Sequence, residues 1–183
     1  MIRQKMIRYI LLIAVFQLTL AESESYDLLV RGKSNPYCKI SPDHTMCKYE
    51  AETECRSNSK YRKINKAGQK IVVDAHNALR RKVATGGEEL GVGGGQPGAA
   101  NMKEIRWSKE LAKIAQRWTD QCTFGHDKKR NKKDGTYVGQ NAFIRGGSRQ
   151  QSKDEVTASL ENGVKAWYNE VKDWDSSKIN PFQ

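Results

Sequence analysis

Residues 107–122 read WSKELAKIAQRWTDQC, and Trp107, Leu111, Ile114, Ala115, Trp118 and Cys122 recur within them every three or four positions. That spacing sets the six side chains on one stripe of an α-helix. Ser108 stands where an N-cap is needed and Gly125 follows the end, so a helix with one core-facing side is expected here, with Cys122 at its terminus. The same pattern flanks it. From Gln69 to Val83, residues Ile71, Val72, Ala75, Leu79 and Val83 repeat at helical spacing before Gly86 and Gly87, which supply a stop. Further on, Ser152 and Glu155 form a capping box ahead of Val156, Leu160, Val164, Trp167, Val171 and Trp174. If that third helix runs through to Trp174, about 100° per residue puts Glu170 within roughly 40° of Trp174 and 60° of Trp167. A carboxylate then leans toward the apolar side.

The connections differ in character. Gly86 to Ala100 holds seven glycines and a proline, which reads as a long flexible surface loop. It lacks the spacing of a phosphate-binding loop. Tyr137 to Ile144, bracketed by glycines, reads as a short strand whose centre is Val138, Gly139, Gln140 and Asn141.

The chain has 183 residues, a net charge of +11 and a mean hydropathy of −0.78. These suit one domain with an extension, and they exclude a multi-span membrane protein. Arg3, Lys5 and Arg8 lead an almost unbroken apolar run from Tyr9 to Leu20, with the small residues Thr19 and Ala21 at its end. This is the pattern of a secretory signal peptide over residues 1–21, too short to span a bilayer comfortably. Taking away 21 residues that carry three bases and no acid leaves 162 residues at +8. No stable membrane insertion is expected after cleavage.

Secretion governs the reading of Cys38, Cys47, Cys55 and Cys122. In an oxidising compartment an even count favours two disulfides, and spacing alone does not choose among the three connectivities. No C-x-x-C pair is present to suggest a zinc site. Residues 22–66 are polar and without sustained periodicity, and they hold three of these cysteines. They read as a loop-rich, disulfide-held extension with few backbone elements.

Residues for chemistry are scarce. Of the three histidines, His76 reads as a helix-surface or packing residue and His44 as structural or exposed. His126, between Gly125 and Asp127, is the most site-like. No G-x-S-x-G elbow occurs. Lys128, Lys129, Arg130, Lys132 and Lys133 form a basic run that reads as a solvated loop or as a patch for an anionic partner. Without interleaved aromatics, it does not suggest nucleic acid. No N-x-[ST] sequon is present.

Several blocks together resemble one family. They are Asn35-Pro-Tyr-Cys-Lys-Ile, His44-Thr-Met-Cys-Lys-Tyr, His76-Asn-Ala-Leu-Arg, Asn101 to Trp107, Gln121-Cys122, Gly125-His126-Asp127, Val138-Gly139-Gln140-Asn141 and Trp167-Tyr168-Asn169-Glu170-Val171-Lys172-Asp173. In this order they resemble the antigen-five type of venom allergen, within the superfamily of cysteine-rich secretory and pathogenesis-related proteins called CAP. The resemblance implies an α+β fold, a three-layer α-β-α sandwich. It implies the pairings Cys38–Cys47 and Cys55–Cys122; the cysteine pair that relatives carry near Pro42 and Lys129 is absent here.

Family members have a cleft with two histidines and two acids, which in some relatives binds a divalent metal. The resemblance places His126 and Glu170 in it, as an incomplete metal set, and Gln140 where many relatives have glutamate. The second histidine, in a Gly-His-Tyr-Thr-Gln segment, has no counterpart before Gln183. The chain is therefore read as residues 22–66 followed by a CAP domain over 67–183 lacking its C-terminal strands, a fragment or truncated form. The function expected is that of a secreted, non-enzymatic venom or salivary component of arthropod type. It has no cofactor unless a longer form binds a divalent metal, and its partner is a host protein or a lipid or sterol. A metal-dependent hydrolase and a polyanion-binding module are the alternatives.

Overall fold

The computed structural model describes residues 35–51, 64–145 and 152–179. These fall into two compact units, residues 35–50 with 128–138, and residue 51 with 64–127, 139–145 and 152–179. The stretch 1–21 expected to be a signal peptide, and Cys55, lie outside the described residues.

The first unit is built on two short helices, α1 (Pro36–Ile40) and α2 (Thr45–Lys48), where the sequence suggested little but loop. Asn35 caps α1 by accepting the Tyr37 N–H at 3.1 Å, and its amide reaches across to the Met46 carbonyl at 2.9 Å. Pro36 follows at the position where its missing N–H costs nothing. His44 caps α2: Nδ1 accepts the Met46 N–H at 3.0 Å, so Nε2 carries the proton and donates to the Asn131 carbonyl at 2.8 Å. The ring is 1% exposed and stacks on Tyr37, centroids 4.8 Å apart. The Cys38–Cys47 disulfide ties the two helices.

The second unit holds α3 (Lys66–Ala84), α4 (Lys109–Thr119) and α5 (Lys153–Tyr168). Ser108 caps α4, and Ser152 with Glu155 makes the complete capping box at the start of α5. Helices α3 and α5 pack together. Gly68 permits this, since a Cβ there would press on Leu160 and Ile64. One face of α3 also holds the segment after the glycine-rich stretch. The buried Asn77 amide exchanges two hydrogen bonds with Ile105, at 2.9 and 3.1 Å, and Arg80 donates twice to the Lys103 carbonyl.

Three expectations change. The third helix stops at Tyr168 and tightens into a 3₁₀ turn over Asn169–Asp173, so Trp174 lies past it and Glu170 is on the turn. At about 120° per residue the projection of Glu170 toward the Trp167 side no longer applies, and the side chain is exposed. The strand expected over residues 137–144 is not formed. A strand needs a second backbone at ladder distance, and among the described residues none pairs with this segment. The single β-type pairing among them is the parallel bridge between Val92 and Asp175.

The third change concerns residues 86–100, which are held in place rather than loose. Gly87 donates to the Lys82 carbonyl, Gln96 to Glu88, Ala99 to Ala84, and Val92 to Trp174, at 2.8 to 3.0 Å. At Gly91 a side chain would collide with the Gln96 amide and the Gly94 carbonyl. The anchor is Glu88, 1% exposed. One carboxylate oxygen accepts the Leu90 N–H at 2.9 Å, and the other accepts Lys82 Nζ at 2.8 Å and the Tyr168 hydroxyl. The Lys82, Tyr168 and Leu90 donors together overcome burial and hold the Glu88 carboxyl down from its ordinary 4.5 to about 2. Burial and the Glu88 charge push the Tyr168 hydroxyl up.

A depressed carboxyl adds stability that is whole above the unfolded-state value and is lost as pH falls through the folded one. The unfolding free energy is therefore expected to drop between pH 4.5 and about 2. Glu88→Gln should cost about 2 kcal/mol at neutral pH and flatten the profile in that window, as read by denaturant melts at each pH. An identical acid slope in the variant would contradict this role.

Candidate functional site

His126 lies in the turn after α4, and its neighbours on both sides are pinned. Trp118 of α4 donates its indole N–H to the Gly125 carbonyl at 2.9 Å. The Asp127 N–H donates to Gln140 Oε1 at 2.8 Å, and Asp127 itself is buried. The segment bearing Gln140 is fixed in turn by Trp167 of α5, whose indole N–H reaches the Ala142 carbonyl at 3.0 Å, and by Phe143 seated against Gly163. Two tryptophans from the helix stripes thus set the positions of His126 and Gln140.

The Asp127 N–H orients the Gln140 amide with its oxygen inward. That same oxygen is 3.1 Å from His126 Nδ1. Nδ1 must then carry the proton, which leaves Nε2 of this exposed ring as the acceptor. A neutral amide at Gln140 does what a carboxylate would do for tautomer and orientation, without adding charge.

Glu170 is not brought to this pair. It is exposed on the 3₁₀ turn, and among the described residues no hydrogen bond or ion pair joins it to His126. Among those residues no three His, Cys, Asp or Glu side chains are grouped to hold a metal ion. The donor set is one imidazole nitrogen beside an amide oxygen already accepting two N–H groups, which does not fit a divalent metal centre. His76 packs within α3, its Nδ1 2.7 Å from the Val72 carbonyl and its ring 6.1 Å from that of Trp167. Cys122 follows α4 with a left-handed backbone, φ 52°, and is disulfide-bonded; its expected partner Cys55 lies outside the described residues.

Beside the pair is an apolar cavity of about 440 Å³. Gly125 and Gln140 contribute to its wall, and the large apolar side chains of Val72, Trp118, Phe124, Phe143, Leu160, Val164 and Trp167 are among the rest. Sequence periodicity places Val72, Ala115, Trp118, Leu160, Val164 and Trp167 of this wall on apolar helix stripes. It missed Phe124 and Phe143, and the indole donors, because those roles depend on where the 123–127 and 140–143 segments return.

Residues 73–180 match the family described as CAP, the cysteine-rich secretory protein family. The chain belongs to that family. It is 42% identical over 141 residues to a venom allergen 3 homolog of Dinoponera quadriceps, covering 76% of this chain and 58% of the relative. It is 40% identical to a venom allergen 5 of Microctonus hyperodae, covering 78% and 61%, and 39% identical to venom allergen 5.02 of Dolichovespula maculata, covering 80% and 68%. The chain thus spans about three fifths of the length of the first of these relatives. Membership in CAP implies the α-β-α fold of the family, and with these relatives the chain is a secreted protein. No helix among the described residues is long and apolar enough to cross a membrane.

The neutral form of His126 is expected to be the Nδ1–H tautomer, seen in ¹⁵N–¹H multiple-bond spectra. Gln140→Leu should remove that preference. An Nε2–H tautomer in the unmodified protein would contradict the geometry.

Proposed function

We propose that this CAP protein is a secreted, venom-allergen-like component that acts by binding rather than by catalysis, and that its cavity takes a lipid or sterol. The observation that carries the reading is the pairing of that apolar cavity with a neutral polar rim. The cavity volume lies within the roughly 300–1,000 Å³ of small-molecule sites, which are mostly apolar with a few oriented polar groups. Here Gln140 supplies such a group, and Trp118 and Trp167 supply aromatic walls. Hydrolysis, in contrast, needs a second acid or base, or a metal, next to His126, and among the described residues the side chain hydrogen-bonded to it is the neutral amide of Gln140.

The test is titration of the purified protein with a fluorescent polyene fatty acid and with a fluorescent sterol, read by energy transfer from tryptophan. Saturable binding of either, abolished when Leu160→Trp fills the cavity, is the expected result. No saturable binding of either ligand, or binding indifferent to Leu160→Trp, overturns the ligand assignment. Ester or peptide hydrolysis that disappears in His126→Ala would overturn the non-enzymatic reading in favour of a hydrolase.

A further inference from the structure

We infer that the loop carrying Lys128, Lys129, Arg130, Lys132 and Lys133 is a docking surface for a sulfated polysaccharide. This rests on the first unit of the chain and is independent of the cavity and of His126. Backbone hydrogen bonds hold the loop at several points. The Lys129 carbonyl accepts the Thr45 N–H at 3.0 Å, and the Asn131 carbonyl accepts His44 Nε2–H at 2.8 Å. Both donors sit at the start of α2, which the Cys38–Cys47 disulfide ties to α1. A reciprocal turn, Lys132 N–H to Thr136 and Gly135 N–H to Lys132, closes the loop's far end. The backbone is thus pinned from both sides while the side chains of Lys128, Lys129 and Lys133 are exposed.

Charge within residues 128–138 is five bases against one acid. That acid, Asp134, is 2.7 Å from Lys132 Nζ, and this pairing with the Thr136 bonds holds its carboxyl well below the usual range, so it offsets one base and no more. Arg130 lies along Tyr137, guanidinium carbon 5.5 Å from the ring centroid, and donates to the Tyr137 hydroxyl at 3.2 Å. Closely spaced cations on a pre-shaped backbone suit a chain of regularly spaced anions, because little ordering is left for binding to impose.

The chemistry selects the class of polyanion. An anionic membrane surface is held by apolar side chains inserted beside the bases, and the stretch 128–134 has none. Single-stranded nucleic acid is held by aromatic platforms, and Tyr137, the one aromatic in 128–138, already lies against Arg130. Sulfate groups on a polysaccharide require neither.

The probe is heparin, by affinity chromatography and by titration at fixed salt, with the full-length protein. Lys128→Gln, Lys129→Gln and Lys133→Gln together should lower affinity on the order of a hundredfold and make it less salt-dependent. The control removes the same charge from exposed positions of the other unit, Lys66→Gln, Lys109→Gln and Lys113→Gln, and should leave most of the affinity intact. Equal losses in the two triple variants would show attraction to net charge alone and overturn the assignment. Binding to phosphatidylserine vesicles as tight as to heparin, and lost with the same three lysines, would overturn it in favour of a membrane surface.

Discussion

The Glu88 carboxylate is buried in a stretch that is seven-fifteenths glycine, and the arrangement of that stretch depends on the carboxylate being answered. An ionised group removed from water is costly unless every lone pair direction finds a donor. Here Lys82 comes from the last turn of α3, Leu90 from the loop itself and Tyr168 from the end of α5. One side chain therefore links the exit of one helix, the loop and the exit of another. The neighbouring contacts extend the link, since Gln96 donates to the Leu90 carbonyl and Val92 bridges to the residues after the 3₁₀ turn. With so little side chain in the loop to bury, polar bonding takes the place of a hydrophobic contact.

Whereas the short α1 and α2 carry too few residues for a periodic signal, the three long helices were legible from residues alone because their signals are local. Ser108 and the Ser152–Glu155 box mark their starts as expected, and the apolar stripes lie where periodicity places them. The loop was misjudged for the opposite reason: glycine content reports conformational freedom of the isolated chain, whereas Glu88 and Tyr168 meet across 80 positions of sequence. The end of α5 was also hidden, since Val171 and Trp174 continue the stripe although the backbone has already tightened. A strand signal at residues 137–144 is a signal for pairing, and pairing is decided elsewhere in the chain. At the site, His126 stood out by its flanking glycine and aspartate, and resemblance to CAP proteins pointed to Gln140. The tautomer, the cavity and the indole donors needed coordinates.

The cavity and the basic loop rest on different physical chemistry. At His126 the partner is a neutral amide, Gln140, whose oriented oxygen lies at the wall of an apolar cavity. In the first unit the chemistry is ionic, and His44, wholly occupied by Met46 and Asn131, is a fixture of the platform rather than a reactive group. Similarity to the venom allergens accounts for secretion, and the Cys38–Cys47 disulfide ties the helices of the first unit.

The central claim, that Glu88 fixes the glycine-rich loop, is most directly tested by amide hydrogen exchange at Leu90, Val92 and Gln96. The account predicts that these three are protected in the unmodified protein and that Tyr168→Phe, which removes one donor and leaves the ring, speeds their exchange while Ile114 in α4 keeps its rate. Fast exchange at all three in the unmodified protein, or rates untouched by Tyr168→Phe, would contradict it.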